Sequence, residues 1–387
     1  MVADMIPRTA AKTLSRLAKR YPVVAVTGPR QSGKTTLARA VFAGKPYVSL
    51  EDPDQREFAT NDPRGFLGNY PEGALLDEVQ RCPELFSYLQ RIVDERRRAG
   101  LFVLTGSQQF GLLAKISQSL AGRIGLIHLL PFSLGELKRA RRMPRKIEIL
   151  LFRGLYPPLY DKRHDPLSWY ANYIQTYLER DVRQLINVRE LGAFQRFIRM
   201  CAARTGQLLN LTGLAGDCGI THNTAKAWIS VLEASYIVFL LQPYYRNLNK
   251  RLVKTPKLYF YDPGLAAWLL GIQAVEQIAT HSMRGALFET WVIGELLKKR
   301  YNQGLPANVY FWRDRAGNEV DVLCEEGERV SPIEIKSGQT ITEEHLAGLR
   351  RWIDLAGKIA VNPRLVYAGA SRYARTGVEI LPWTGFS

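Results

Sequence analysis

The chain has 387 residues, 46% of them hydrophobic and 23% charged, enough for two or three domains that each bury a core. Lysine and arginine number 53 against 36 acidic residues, a formal net charge of +17 that favours polyanionic partners such as nucleic acid over acidic proteins or neutral metabolites. No apolar run reaches the roughly eighteen residues that span a bilayer, and the N-terminus lacks the charged, apolar and small-residue sections of a signal peptide, so the expectation is a cytoplasmic chain with no membrane partner.

In chain order, the apolar run Val23-Val24-Ala25-Val26 leads into Gly28-Pro29-Arg30-Gln31-Ser32-Gly33-Lys34-Thr35, a full match to GxxxxGK[ST] between a strand and a helix. Glycines let such a loop wrap tightly, so that backbone N–H groups and the following helix N-terminus converge on nucleotide phosphates. Gly28, Pro29, Arg30, Gln31, Ser32, Gly33, Lys34, Thr35 and Thr36 are therefore the candidate ATP-binding residues. Within them Lys34 reaches the β- and γ-phosphates and Thr35 joins the coordination sphere of Mg²⁺. Helical spacing places Leu37, Ala40 and Val41 on the face packed against a sheet.

A buried strand ending in an acid is the second element such a site needs, and Gly73-Ala74-Leu75-Leu76-Asp77-Glu78 supplies it. Asp77 is the candidate metal residue, and Glu78 the residue that orients and polarises the attacking water. A further strand, Leu101 to Thr105, ends in Gly106-Ser107-Gln108, where Thr105 and Ser107 are positioned to sense the γ-phosphate. Arg123 precedes the apolar strand 124–130 and is the candidate catalytic arginine, acting within its own chain or, in a homo-oligomer, from a neighbouring subunit. Strands near 23–27, 46–51, 73–77, 101–105 and 124–130, separated by helix-compatible stretches, describe a doubly wound parallel sheet over residues 1–150.

Beyond it, Lys138 to Lys146 carries six basic residues in nine, read as a solvated helix face. Trp169, Tyr170, Tyr173, Ile174, Tyr177 and Leu178 fall at near-helical spacing and read as core. Thr212 to Cys218, a turn at Gly219-Ile220 and a helix from Thr221 read as a helix-turn-helix. Its second helix turns Ala225, Trp228, Ile229 and Leu232 inward and presents His222, Asn223, Lys226 and Ser230 outward, where a recognition helix meets a major groove. The strands 236–241 and 257–261 complete a winged helix, and the loop between them holds Arg246, Lys250, Arg251 and Lys254 beside Tyr244 and Tyr245. His222, Asn223, Lys226, Arg246, Lys250 and Arg251 are thus the candidate nucleic-acid contacts, with DNA favoured, in a domain spanning 151–275.

Over 276–387 a second constellation appears in the order E…D…ExK: Glu289 on a helix, Asp321 on one strand, and Glu334 and Lys336 on the next. Strand residues two apart share a face, so these groups form a second candidate Mg²⁺ site of nuclease type, with Lys336 stabilising phosphate or nucleophile charge. The four cysteines, Cys82, Cys201, Cys218 and Cys324, have neither CxxC spacing nor histidine partners at metal-ligand spacing and read as reduced and structural.

These motifs together resemble the prokaryotic "ATP-binding protein" family, which joins an AAA-type P-loop ATPase to a DUF4143 region whose fold is similar to PD-(D/E)xK nucleases. The resemblance is carried by Gly28 to Thr35, Leu75-Leu76-Asp77-Glu78, Leu104-Thr105-Gly106-Ser107, Ala121-Gly122-Arg123, Gly285 to Glu289, Trp312-Arg313, Glu319-Val320-Asp321 and Glu334-Ile335-Lys336. It implies an α/β chain made of an AAA-type ATPase domain, a central helical and winged-helix domain, and an α/β nuclease-like domain. ATP binding and hydrolysis with Mg²⁺ follow from the same resemblance. The proline that names the nuclease motif is absent before Asp321, where Val320 stands. Three functions compete: an ATPase switch acting on DNA, an ATP-gated Mg²⁺-dependent endonuclease, and a nucleotide-dependent switch that contacts protein.

Overall fold

The computed structural model describes residues 5–107, 119–177, 182, 191–244 and 253–386. Two units emerge. The first runs to Phe132 and takes in Ala234–Tyr236 and Lys298–Pro306; the second comprises Ser133–Glu233, Ile237–Leu297 and the chain from Ala307.

The first unit is built on strands β1 (Val23–Thr27), β2 (Tyr47–Ser49), β3 (Leu75–Asp77), β4 (Phe102–Gly106) and β5 (Ile124–His128). They lie in the order β2-β3-β4-β1-β5, with every pairing parallel. Parallel neighbours need crossover connections, which cover both faces of the sheet with helices. That is why β1 is apolar without alternation: Val23 and Ala25 enter the core on one face, while Val24 and Val26 enter the core on the other. Leu75 and Leu76, and likewise Val103 and Leu104, divide between the same two cores.

Helix Lys34–Val41 buries Lys34, Leu37 and Ala38, with Val41 partly covered, whereas Ala40 is exposed. The expected face of Leu37, Ala40 and Val41 is thus corrected by one position. The i, i+3, i+4, i+7 series starts at Lys34, which turns that side chain under the loop.

In the second unit, helices Leu191–Ala202, Leu211–Cys218 and His222–Ala234 precede an antiparallel hairpin of β6 (Val238–Pro243) and β7 (Lys257–Phe260). Asn210 caps the middle helix and Gly219 closes it at φ +68°. Phe194 and Phe197 meet Trp228 edge-on at 5.1 and 5.2 Å, and Ala225, Ile229 and Leu232 are buried as expected. Trp169, Tyr170, Tyr173, Ile174 and Tyr177 are core residues; Leu178 lies outside the described residues.

The hairpin does not stand apart as a wing. Gln242 and Pro243 of β6 pair in parallel with Tyr310 and Phe311 of β8 (Val309–Arg313), and this joins the hairpin to one eight-stranded sheet. The other strands are β9 (Glu319–Glu326), β10 (Arg329–Lys336), β11 (Arg364–Tyr367), β12 (Tyr373–Arg375) and β13 (Val378–Pro382), in the order β12-β13-β11-β10-β9-β8-β6-β7. Trp312, Val320, Leu323, Trp352, Leu365 and Ile380 form its core, with helix Ala347–Ala356 laid across β9 and β10. The expected boundary at 275/276 therefore falls inside a single unit.

Candidate nucleotide site and C-terminal acidic cluster

Because all five strands of the first sheet are parallel, their C-terminal ends share one edge. Gly28 follows β1 there, Asp77 ends β3, and Ser107 follows β4. Gly28 has φ +148°, and a Cβ at that position would lie 2.2 Å from the carbonyl oxygen of Leu129, so only glycine fits. Gly33, at φ +89°, opens helix Lys34–Val41 in a left-handed conformation. The Lys34 ammonium donates to the carbonyls of Gly28 at 3.1 Å and Pro29 at 2.8 Å. Ser32 Oγ is buried with no hydrogen-bond partner, a polar atom awaiting one. Arg8 clasps the loop from outside, donating to the Ser32 carbonyl at 2.6 Å and the Leu130 carbonyl at 2.5 Å.

Asp77 is buried and receives hydroxyls only. Thr35 Oγ1 donates to Oδ1 at 2.8 Å, Thr105 donates to the same oxygen, and the Tyr47 hydroxyl donates to Oδ2 at 2.9 Å. Burial, together with the Asp77 charge, pushes the Tyr47 phenol up to about 12. Glu78 sits in the left-handed region at φ +54° and accepts from Ser107 Oγ at 3.0 Å and from the Gln80 amide. All these donors are neutral, so the charge of both carboxylates is uncompensated by any described ion pair. The half-buried Thr35 hydroxyl beside the Asp77 carboxylate is the hard-oxygen pair that Mg²⁺ takes, and the residues present fit that ion.

Arg123 belongs elsewhere. It precedes β5, so it lies at the opposite edge of the sheet from Gly28, about 16 Å away along a five-residue strand. There its guanidinium pairs with Asp94 at 2.5 and 2.9 Å. A role on the phosphates of its own chain is thereby corrected: strand direction carries the residue away from them.

Behind the loop, Thr27 Oγ1, His128 Nδ1 and the Tyr236 hydroxyl form a triangle with sides of 2.7, 2.9 and 3.0 Å. Burial pushes His128 down to about 4, so the ring is neutral near pH 7. Tyr301 packs against it at 5.0 Å.

In the second unit His222, Asn223 and Lys226 are exposed at the start and outer face of helix His222–Ala234. Arg246, Lys250 and Arg251 lie outside the described residues.

The carboxylates of the C-terminal constellation do converge, but with company that residue spacing does not reveal. Asp321 Oδ2 accepts from the backbone N–H of Ile335 at 2.8 Å, and Lys336 pairs with Glu334 Oε1 at 2.7 Å. Lys257, on β7 and only 4% exposed, extends its ammonium to Glu289 Oε1 at 3.4 Å and also to Glu319. Tyr259 donates to the same Glu289 oxygen, and Arg313 approaches Glu319 Oε2 at 3.3 Å. Burial alone lowers the Lys257 pKa, but Glu289, Glu319 and Asp321 outweigh it and raise it. Burial pushes the Glu289 carboxyl up to about 7, with Lys257 opposing and Asp321 reinforcing. Glu334 is driven well above the usual carboxylate range, first by burial and then by Asp321.

Matches to family models divide the chain into three segments, the last two of which both fall mostly in the second unit. An "AAA domain" model matches residues 20–138, a "Domain of unknown function (DUF8612)" model matches 144–276, and a "Domain of unknown function (DUF4143)" model matches 284–386. The uncharacterized proteins Rv2008c of Mycobacterium tuberculosis and Mb2031c of Mycobacterium bovis are each 33% identical over 337 residues, covering 86% of this chain and 74% of theirs. Among solved structures, the Walker-type ATPase paby2304 of Pyrococcus abyssi is 16% identical, covering 69% of this chain and 96% of that one, with a TM-score of 0.47. The chain belongs to the same family as these mycobacterial proteins, and its own matches make it an AAA-type P-loop ATPase with a C-terminal DUF4143 region. Among the described residues no helix is long and apolar enough to cross a membrane.

Proposed function

We propose that the chain is an Mg²⁺-dependent ATP hydrolase whose nucleotide state repositions a DNA-contacting helix and hairpin. One observation carries the catalytic half of this reading: the P-loop, Asp77 and Glu78 meet at one sheet edge, with both acids held by neutral donors. The loop Gly28 to Thr36 cradles the phosphates, and Lys34 brings its charge to the β- and γ-phosphates. Thr35 and Asp77 would hold Mg²⁺, which when bound would supply positive charge against the transferring phosphoryl group. Glu78 takes a proton from water as the water oxygen bonds to the γ-phosphorus, and the bond to the β-phosphate oxygen breaks to leave ADP and phosphate. Ser107 and Gln80 fix the orientation of that carboxylate. Thr105 holds Asp77 from the strand between β1 and β3.

Support for the DNA half comes from the net charge of +17 and from His222, Asn223 and Lys226 standing exposed on one helix. ATP turnover of wild type and Glu78→Gln, each with and without duplex DNA, single-stranded DNA and RNA at two salt concentrations, tests both halves. The reading expects stimulation by duplex DNA that weakens at higher salt and a Glu78→Gln protein that binds ATP without turning it over. Equal turnover in the two proteins removes Glu78 from the mechanism. Turnover indifferent to all three nucleic acids replaces DNA with a protein partner.

A further inference from the structure

We infer that the Lys257 ammonium is the resident cation of the C-terminal acidic cluster, filling the role a divalent metal has in a nuclease, so that the cluster takes no Mg²⁺ and cuts no phosphodiester. The argument begins with what a hard dication requires: several carboxylate or carbonyl oxygens free to turn toward it. Here one oxygen of each of Glu289, Asp321 and Glu334, and both of Glu319, are engaged from within. Glu289 Oε1 accepts from Lys257 and Tyr259, Glu319 from Lys257 and Arg313, Asp321 Oδ2 from the Ile335 N–H, and Glu334 Oε1 from Lys336. Among the described residues, no group of three or more His, Cys, Asp or Glu side chains is arranged to hold a metal ion.

The basic side chains around the cluster point the same way. Lys257, Lys336 and Arg313 stand among Glu289, Glu319, Asp321 and Glu334. A dication added to that set meets cations already in place, one of them an ammonium fixed among its would-be ligands. Lys257 is held there from below as well: the Phe311 ring lies 5.4 Å from its Nζ, and Leu208 bridges to its backbone. With 4% of its surface exposed, this ammonium has little water to return to if its carboxylates turn away to a metal.

The test is Mn²⁺ binding to the full chain, followed by electron paramagnetic resonance, with Asp77→Asn in every protein so that the nucleotide site is silent. The inference expects Asp321→Asn to change nothing. It further expects Lys257→Gln to gain about one Mn²⁺ at least tenfold tighter than any site in its parent, and Lys257→Gln/Asp321→Asn to lose it again. Lys257→Arg keeps the charge and should behave like its parent. Mn²⁺ binding that Asp321→Asn abolishes in the Lys257 background overturns the inference, and so does a folded Lys257→Gln that gains no ion. If Lys257→Gln fails to fold, the Asp321→Asn comparison alone decides. Asp321-dependent nicking of plasmid by the chain with intact Asp77, in Mn²⁺ and ATP, also overturns it.

Discussion

The two acidic clusters of this chain, one at the end of a strand and one gathered from a helix and two strands, treat their charge in opposite ways. At the nucleotide site Asp77 and Glu78 are held by Thr35, Thr105, Tyr47, Ser107 and Gln80, all neutral. At the C-terminal cluster Glu289, Glu319 and Glu334 are held by Lys257, Arg313 and Lys336, all cationic. Neutral donors orient a carboxylate and leave its charge for an incoming cation, whereas an ammonium orients and consumes it. The identity of the donors therefore separates a site prepared for a metal from one already holding cations, although the acids themselves look alike in sequence.

The largest effects should come from removing charge at the nucleotide site. Lys34→Ala is expected to abolish ATP binding. Glu78→Gln should retain binding while lowering kcat by roughly a hundredfold to ten-thousandfold, seen as ATP retained without release of phosphate. Gln80→Leu leaves the carboxylate in place and removes one donor, so a fall of about tenfold in kcat with KM unchanged is expected. Equal kcat in Gln80→Leu and wild type would show that Ser107 alone suffices to orient Glu78.

At the other cluster the same kind of substitution acts on stability rather than turnover. Replacing Lys257 by Gln leaves Glu289 and Glu319 facing each other without their shared cation, and breaking a buried pair in this way costs about 3–5 kcal/mol. A lowered urea midpoint, partly restored by millimolar Mn²⁺, is the expected result, since an ion that binds only the folded state stabilises it. ATP turnover at temperatures where the variant is folded should stay within about twofold of wild type.

A third comparison uses pH. His128 is neutral among neutral partners, and its folded pKa of about 4 lies below the ordinary value of 6.5. Between those values the unfolded chain binds the extra proton, so stability is fully present above pH 6.5 and is lost as pH falls toward 4. The shift corresponds to about 3 kcal/mol at most. Denaturation midpoints measured from pH 7 to pH 4 should fall for wild type, and the fall should be shallower for His128→Gln. Equal slopes would mean that the Thr27–His128–Tyr236 triangle opens to water before the rest of the unit unfolds.

How much of this was legible in the sequence depended on the range of each interaction. The P-loop, the Asp77-Glu78 pair and Ser107 follow from spacing within a loop or at a strand end, and the sheet edge brings them together as expected. Lys257 is 32 residues from Glu289 and 62 from Glu319, on a strand read as part of a wing, and no local pattern marks it. Arg8 reaches the loop from 24 residues away and Tyr47 reaches Asp77 from 30, with the same result. A lone lysine in the apolar strand 257–260 was the available signal, because a lysine on a buried strand needs an acid. The joining of the hairpin to the C-terminal sheet rests on two residue pairs between β6 and β8, too short a ladder to announce itself in the pattern of either strand. The packed face of the P-loop helix was read as Leu37, Ala40 and Val41, whereas Lys34, Leu37 and Ala38 are buried, because the side chain of Lys34 turns under the loop.

Arg123 carries the smallest expected effect and the sharpest discrimination. Its position before β5 was readable, since a residue that precedes a parallel strand lies at the edge away from the loop that follows its neighbour. In a single chain, removing it breaks an exposed pair with Asp94, which has a side-chain exposure of 47%, and an exposed bond to the Ala121 carbonyl, and interactions of this kind contribute little. Arg123→Ala should therefore change kcat by less than about threefold in dilute protein. The same assay repeated over a hundredfold range of protein concentration separates two cases. A constant ratio of variant to wild type keeps the arginine structural. A ratio that collapses as concentration rises means that a second copy presents its Arg123 to the first copy's phosphates, where a missing guanidinium costs a thousandfold or more, and that the site at the P-loop edge is completed by assembly.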